Sequence, residues 1–266
     1  VNKFKQRKNK LHTMTALYPQ IVYGPVRSRR LGISLGVNLL PLHSKLCTFD
    51  CIYCECGWND DNRGADGFNP REAVAKALES KLIEMADNEE QLDVITFAGN
   101  GEPTLHPDFE GVIEDTIALR DKYAPQAKIS VLSNDTQLHR ADVVRALKRV
   151  DNNILKLDAV DEQLAKTMNK PCCHYSTAEI INQLAQFEGQ VIVQTMFLRG
   201  EYNGENFDNT TEEHLEAWLK AIEHIAPKQV MVYTIARDTP CKTLQAVSSD
   251  ELEQIAARVR ALGIEC

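Results

Sequence analysis

The sequence predicts an α/β fold in which six successive strand–helix units build a parallel sheet. Three observations carry that expectation. Short β-branched runs alternate with amphipathic stretches along the chain. The amphipathic stretches open on capping signals. Each strand of such an alternation returns through a crossover helix, which sets neighbouring strands parallel. A chain of 266 residues is a common length for one α/β barrel or sheet domain, so one core domain is expected over 31–266, behind a basic arm over 1–30.

In chain order, the first strand expected is Ile33 to Leu40. Asn69-Pro70-Arg71-Glu72 then reads as a cap, a proline at the first helical position and a capping-box acid, followed by Val74, Ala77, Leu78, Leu82 and Met85 at helical steps. Leu92 to Ala98, Lys128 to Leu132 and Ile154 to Asp158 are the second, third and fourth strands. Ser176 to Glu179 opens a helix that Gly189 stops, and Val191 to Met196 is the fifth strand. Thr210 to Glu213 opens the next helix, Val230 to Ile235 is the sixth strand, and a last helix runs from the Ser248 to Glu251 signal to Gly263. The segment RGEYNGENFDNT, Arg199 to Thr210, is polar, carries two glycines and is too long for a tight turn; it is expected to be a mobile lid.

Charge and cysteine usage narrow the class. The formal charge of -8 hides an asymmetry: the first 49 residues hold nine Lys and Arg and no acid, against 21 basic and 38 acidic residues afterwards. A basic arm can track phosphates, and equally can be a solvated tail. The eight cysteines are not spaced as a secreted disulfide framework, because four fall within Cys47 to Cys56, two are neighbours at Cys172 and Cys173, and Cys241 and Cys266 stand alone. No apolar run approaches the ~20 residues of a membrane span, and the N-terminal charges precede no signal-like segment. A cytoplasmic, membrane-free protein is expected. The chain opens on Val1 rather than Met, as a processed or truncated polypeptide does.

Unusual residues gather where each predicted strand gives way to its loop. The cysteines follow the first strand, GNGEP (Gly99 to Pro103) the second, Ser133-Asn134-Asp135 the third, and Lys156 with Asp158 ends the fourth. In a parallel barrel or open sheet these are C-terminal strand ends on one rim, where such folds build active sites. The period of two sets Lys156 and Asp158 on one face. Cys47, Cys51 and Cys54 have the spacing C-x3-C-x2-C, which lets one loop wrap three corners of a cubane cluster and leaves one iron open. Cys56 is a candidate fourth thiolate, of a zinc site or a closed cluster in a non-enzymatic binding module.

This spacing, with Tyr53 just before the last cysteine, and the glycine-rich GNGEP after the second strand resemble the radical S-adenosylmethionine (SAM) superfamily. The runs GPVRSRRLGISLGVNLLP, GNGEPTLHPDF and VYTIAR resemble the subgroup containing wyosine-type tRNA-modifying proteins. The resemblance implies a partial (β/α)6 TIM-like barrel with parallel strands, a [4Fe-4S] cluster on Cys47, Cys51 and Cys54, an external electron donor of flavodoxin or ferredoxin type, and cleavage of SAM to methionine and a 5′-deoxyadenosyl radical. It implies further that Gly99, Asn100 and Gly101 approach the methionine ammonium, with Glu102 adding charge or orienting the loop. Ser133 and Asn134 are then ligands of the ribose or carboxylate, or helix caps. Lys156 and Asp158 face SAM, or pair with each other. Tyr53 lies against the adenine, and Gln194 reaches the same ligand or is a core amide. Wyosine chemistry uses a second cluster on cysteines before the main motif, and residues 1–46 contain none. RNA or another nucleotide-containing substrate, bound through the basic arm, ranks ahead of a peptide or protein substrate or a glycyl-radical-activating role. The pair Cys172 and Cys173 is expected to face the same rim and take part in redox or substrate chemistry, with Cys241 as a candidate partner.

Overall fold

The computed structural model describes residues 17–28, 31–59 and 67–266. Seven strands form the main sheet: β1 (Val22–Ser28), β2 (Gly32–Val37), β3 (Val94–Phe97), β4 (Lys128–Ser133), β5 (Asn152–Lys156), β6 (Ile192–Met196) and β9 (Gln229–Tyr233), in the order β1-β2-β3-β4-β5-β6-β9. The six from β2 to β9 are parallel, and they are the six that the sequence predicts. Each is followed by helix: α1 (Arg71–Asp87), α2 (Phe109–Tyr123), α3 (Ala141–Arg149), α4 (Glu162–Asn169) with α5 (Thr177–Ala185), α6 (Glu212–Ile225) and α7 (Ser249–Ala261). The result is a partial (β/α)6 barrel, open between β1 and β9.

Strand alternation divides the sheet into two faces. Leu35, Val37, Ile95, Phe97, Ile129, Val131, Leu155 and Val193 point one way and share a core with Val74, Leu78, Ile113, Val143, Leu147, Ile180 and Leu184 of the helices. Ser34, Thr96, Ser130, Lys156 and Gln194 take the other face, where Ser34 and Thr96 meet at 2.8 Å and Asn152 donates to Ser130 at 3.0 Å. The inner face is therefore mixed, with these polar side chains beside Val94, Leu132, Ile154 and Ile192.

Three expectations are corrected. Residues 22–28, assigned to the arm, form β1, which pairs antiparallel with β2 across an irregularity between Tyr23 and Val26. Pro25 lies at that irregularity, on an edge strand, where a missing N–H is tolerated. The expected lid is a β-hairpin: β7 (Leu198–Tyr202) turns at Asn203-Gly204, both at positive φ, into β8 (Glu205–Asp208), and β10 (Leu244–Ala246) pairs on the other side of β7. Asn69 does not cap α1, whose N-cap is Pro70; its amide donates instead to the carbonyls of Asn38 and Leu40 at 2.9 and 2.8 Å. Of the other signals, Ser248 and Glu251 close a full capping box, while Ser176 precedes α5 without a side-chain bond and Thr211, not Thr210, caps α6. Arg29, Arg30 and residues 1–16 of the arm lie outside the described residues.

Candidate active site

The cysteine loop connects β2 to α1 and is bonded on both flanks. At its start Leu46 donates to the Asn100 carbonyl at 2.8 Å and accepts from the Glu102 amide at 3.1 Å. A Cβ on Gly101, whose φ is +138°, would stand 1.9 Å from the Leu46 oxygen, so only glycine admits that contact. On the other flank Asp50 and Ile52 donate to the carbonyls of Asn169 and Met168, at the end of α4. Asn59 folds the loop back on itself, with its side-chain amide on the carbonyls of Cys47 and Phe49.

Cys47, Cys51 and Cys54 all lie beside one buried cation. Lys45 is 5 % exposed, donates to the Gly57 carbonyl at 2.8 Å, and its ammonium is held well above the usual range by the three thiols and Asp50, against the pull of burial. Burial pushes the Cys51 thiol up to about 12, and burial with the nearby Glu102 raises Cys47. Cys54 is held below the usual thiol range by a hydrogen bond from Cys56 and by Lys45. Cys56 also approaches the Gly99 carbonyl at 3.3 Å. Phe49 N–H and the Asn134 amide each stand 3.4 Å from the Cys47 sulfur.

Glu102 is the hub between the second and third motifs. Its Oε1 accepts from the Thr104 amide at 3.0 Å, the Thr104 hydroxyl at 2.5 Å and the Ser133 hydroxyl at 2.9 Å, and its Oε2 accepts from the Asn134 amide at 2.7 Å. Asn134 in turn reaches Thr48 of the cysteine loop at 2.9 Å. Of the two roles considered for Glu102, orienting the loop is the one its bonds perform. Asn100 likewise spends its side chain on the protein: its amide donates to the carbonyls of Tyr18 and Pro41, and its oxygen accepts from the Tyr18 amide at 2.8 Å. Gly99, with φ +134°, leaves room for the Asn38 side chain.

At the end of β5 Lys156 donates to the Tyr53 hydroxyl at 2.5 Å and to Asp158 at 3.1 Å, and Tyr53 donates to Asp158 and, at 3.0 Å, to Asn169. The other Asp158 oxygen accepts from the Met196 amide at 2.9 Å. Gln194 is buried on β6, level with Lys156 in the register. Twelve of the thirteen predicted site residues thus lie at or beyond the C-terminal ends of β2, β3, β4 and β5, and Gln194 lies in the middle of β6. Asp135, which the sequence reading gave no role, is 1 % exposed, has φ +71°, and both its carboxylate oxygens are without a hydrogen-bond partner. Burial, with Glu102 nearby, raises its carboxyl well above the usual range.

Cys172 lies beside the cysteine loop, donating its amide to the Thr48 carbonyl at 2.8 Å, and Cys241 does the same to the Ile52 carbonyl at 3.2 Å. Cys172 and Cys173 are exposed, and all three thiols are free. A cavity of about 910 Å³ lies elsewhere, between the hairpin and α4, lined by Asp161, Thr167, Arg199, Glu201, Asp208 and His214.

The donor set fits an iron–sulfur cluster. A cubane takes one thiolate per iron, and Cys47, Cys51 and Cys54 supply three thiols from one loop beside the buried Lys45 ammonium; among the described residues no three of His, Cys, Asp or Glu converge as the site of a single ion.

The Radical SAM superfamily model matches residues 42–214. A Brachyspira hyodysenteriae protein named GTPase Obg is 29 % identical over 252 residues, 92 % of this chain and 34 % of its own length. UPF0026 protein MJ1312 of Methanocaldococcus jannaschii is 33 % identical over 199 residues, 72 % of this chain and 59 % of its own. The chain therefore spans less than two thirds of either relative. Among solved structures, a radical SAM methyltransferase from Sphaerobacter thermophilus is similar with a TM-score of 0.63 at 14 % identity, over 87 % of this chain and 64 % of that one. This last likeness is one of fold. No helix among the described residues is long and apolar enough to cross a membrane.

Proposed function

The chain belongs to the radical SAM superfamily of enzymes, and from that premise we propose that Cys47, Cys51 and Cys54 hold its [4Fe-4S] cluster and that the rim over β3 to β6 holds SAM. With both groups bound, one electron from a flavodoxin- or ferredoxin-type donor cleaves SAM to methionine and a 5′-deoxyadenosyl radical that takes hydrogen from the substrate. The protein's part is positioning. Lys45 offsets the negative charge that thiolates gather in a buried loop. Glu102 holds the Ser133 hydroxyl and the Asn134 backbone amide, and the Asn134 side chain ties that strand end to Thr48 of the cysteine loop, so that cofactor and cluster would be held in one frame. Tyr53, Lys156 and Asp158 close the floor between β5 and the loop.

The observation that carries this reading is the convergence on one loop of three thiols, Cys51 buried and Cys47 and Cys54 half-buried, around one buried ammonium, with the loop pinned to GNGEP by Leu46. For the substrate, the acid-free first 49 residues favour RNA or another nucleotide-containing molecule over a peptide or protein side chain. Residues 1–30 are proposed to act as the arm that meets it, with 22–28 doubling as β1. RNA binding by the full chain should weaken steeply with salt and require residues 1–16; binding that survives their removal unchanged would favour the peptide alternative.

Anaerobic reconstitution of single Cys→Ala variants tests the cluster assignment. Cys47→Ala, Cys51→Ala and Cys54→Ala are expected to lose iron and sulfide and all 5′-deoxyadenosine release with dithionite and SAM. Cys56→Ala is expected to keep the cluster. Iron loss in Cys56→Ala as complete as in the other three, or zinc as the native metal, would point to the binding-module alternative.

A further inference from the structure

Glu102, Asp135, Lys156 and Asp158 bring acidic and basic side chains to the rim inside the sheet, and three of the four are fully engaged. Both oxygens of Glu102 are taken by Thr104, Ser133 and Asn134. Both oxygens of Asp158 are taken by Tyr53, Lys156 and the Met196 amide, and Lys156 is shared between Tyr53 and Asp158. Asp135 is the exception. Its two oxygens are buried without a partner; the Lys156 backbone amide approaches them without closing a hydrogen bond.

The same residue carries a second local cost. Its φ of +71° lies in the left-handed region, which glycine adopts freely and which Asp and Asn adopt more readily than other residues with a Cβ, at some cost. Glycine at this position would remove both the strained backbone and the unpaired buried acid. Buried polar groups are otherwise partnered almost without exception in folded proteins, and strained residues cluster where a ligand is bound. Consecutive residues divide the work at the end of β4: Ser133 bonds to Glu102, Asn134 to Thr48 and Cys47, and Asp135 is left buried without a partner, within electrostatic reach of Glu102, Lys156, Asp158 and Tyr175. The only cation in that group is already committed, so the donor that suits Asp135 is one the protein does not supply.

SAM carries an ammonium, a sulfonium and two ribose hydroxyls. Resting on the radical SAM reading above, we infer that Asp135 is a direct ligand of SAM, its carboxylate accepting hydrogen bonds from the cofactor's amine or hydroxyl donors, a part for which Glu102 has no free oxygen. Ser133 and Asn134 hold the strand end in place, and Asp135 makes the contact.

The test uses the anaerobically reconstituted full chain, with SAM binding followed by equilibrium dialysis and thermal unfolding followed without SAM. Asp135→Asn and Asp135→Gly both accept a positive φ and both remove the carboxylate. Each is expected to retain wild-type iron, to unfold at or above the wild-type temperature, and to bind SAM more weakly by on the order of 10- to 100-fold, as loss of a charge-assisted hydrogen bond implies. Wild-type protein that binds SAM alongside variants that bind it equally well overturns the role of Asp135 and leaves the radical SAM reading standing. Variants that lose iron or unfold at lower temperature assign Asp135 to the scaffold and likewise overturn it. Wild-type protein that binds no SAM overturns both readings.

Discussion

On the outer shell Arg145 of α3 meets Glu110 of α2 at 2.6 Å, with 59 % and 25 % of the two side chains exposed; at the rim Lys156 meets Asp158 at 3.1 Å, with 12 % and 0 % exposed. The shorter distance does not make the first pair the stronger one. Water screens the first, and holding two long side chains in one geometry offsets much of what attraction remains. Burial removes that screening from the second but also strips each ion of its hydration, so the pair persists only because Tyr53 and the Met196 amide satisfy what the two ions leave over. Charge on the helices decorates a surface. Charge at the rim is costly, and it stands only with its hydrogen bonds complete.

The sharpest way to break this comparison is to remove one ion of the buried pair. Asp158→Ala should cost about 3–5 kcal/mol of unfolding free energy, because Lys156 is then buried uncompensated. Lys156→Met combined with Asp158→Leu should recover most of it in urea unfolding. A double variant as unstable as the single one would show that packing, not charge, is at stake. A middle case tests a backbone term rather than a charge: Gly204→Ala, at φ +85° in the hairpin turn with open space around it, should cost about 1 kcal/mol, read from the urea midpoint. Arg145→Ala is the smallest, expected within about 0.5 kcal/mol of wild type. A larger loss would mean that the outer shell is not the passive surface its exposure implies.

The contrast also explains what could be read from the sequence. The six parallel strands were legible because each is an apolar run bounded by turn residues, and its period does not depend on the rest of the fold. The rim motifs were legible because parallel strands all end on one side, so residues far apart in sequence had to meet. What each rim residue does there was not legible, since that depends on which donors arrive from elsewhere. Glu102 reads as a ligand until Thr104, Ser133 and Asn134 occupy its oxygens. Asn100 reads as part of a ligand-facing turn until Tyr18 claims its side chain. Asp135 was passed over because nothing in Ser-Asn-Asp shows that only the third side chain is left without a partner. Asn69 misled for a similar reason: the capping signal is local, and two carbonyls near the end of β2 outbid it. The hairpin was a missed signal, because Asn203-Gly204 is a strong turn dipeptide that the length of the segment obscured.

The anchoring of the cysteine loop on α4 sets a clock during synthesis. Cys51 meets Asn169, and the amides of Asp50 and Ile52 meet the end of the same helix, so the partner of Cys51 is made 118 residues after it. At ~5–20 residues per second that interval lasts roughly 6 to 24 s. Over that interval Cys51 has been made but its folded partner has not, and once it emerges its thiol is open to oxidants and stray metal ions. The travel of the ribosome from β2 to α4 therefore sets the shortest time for which Cys51 goes without the helix end that meets it.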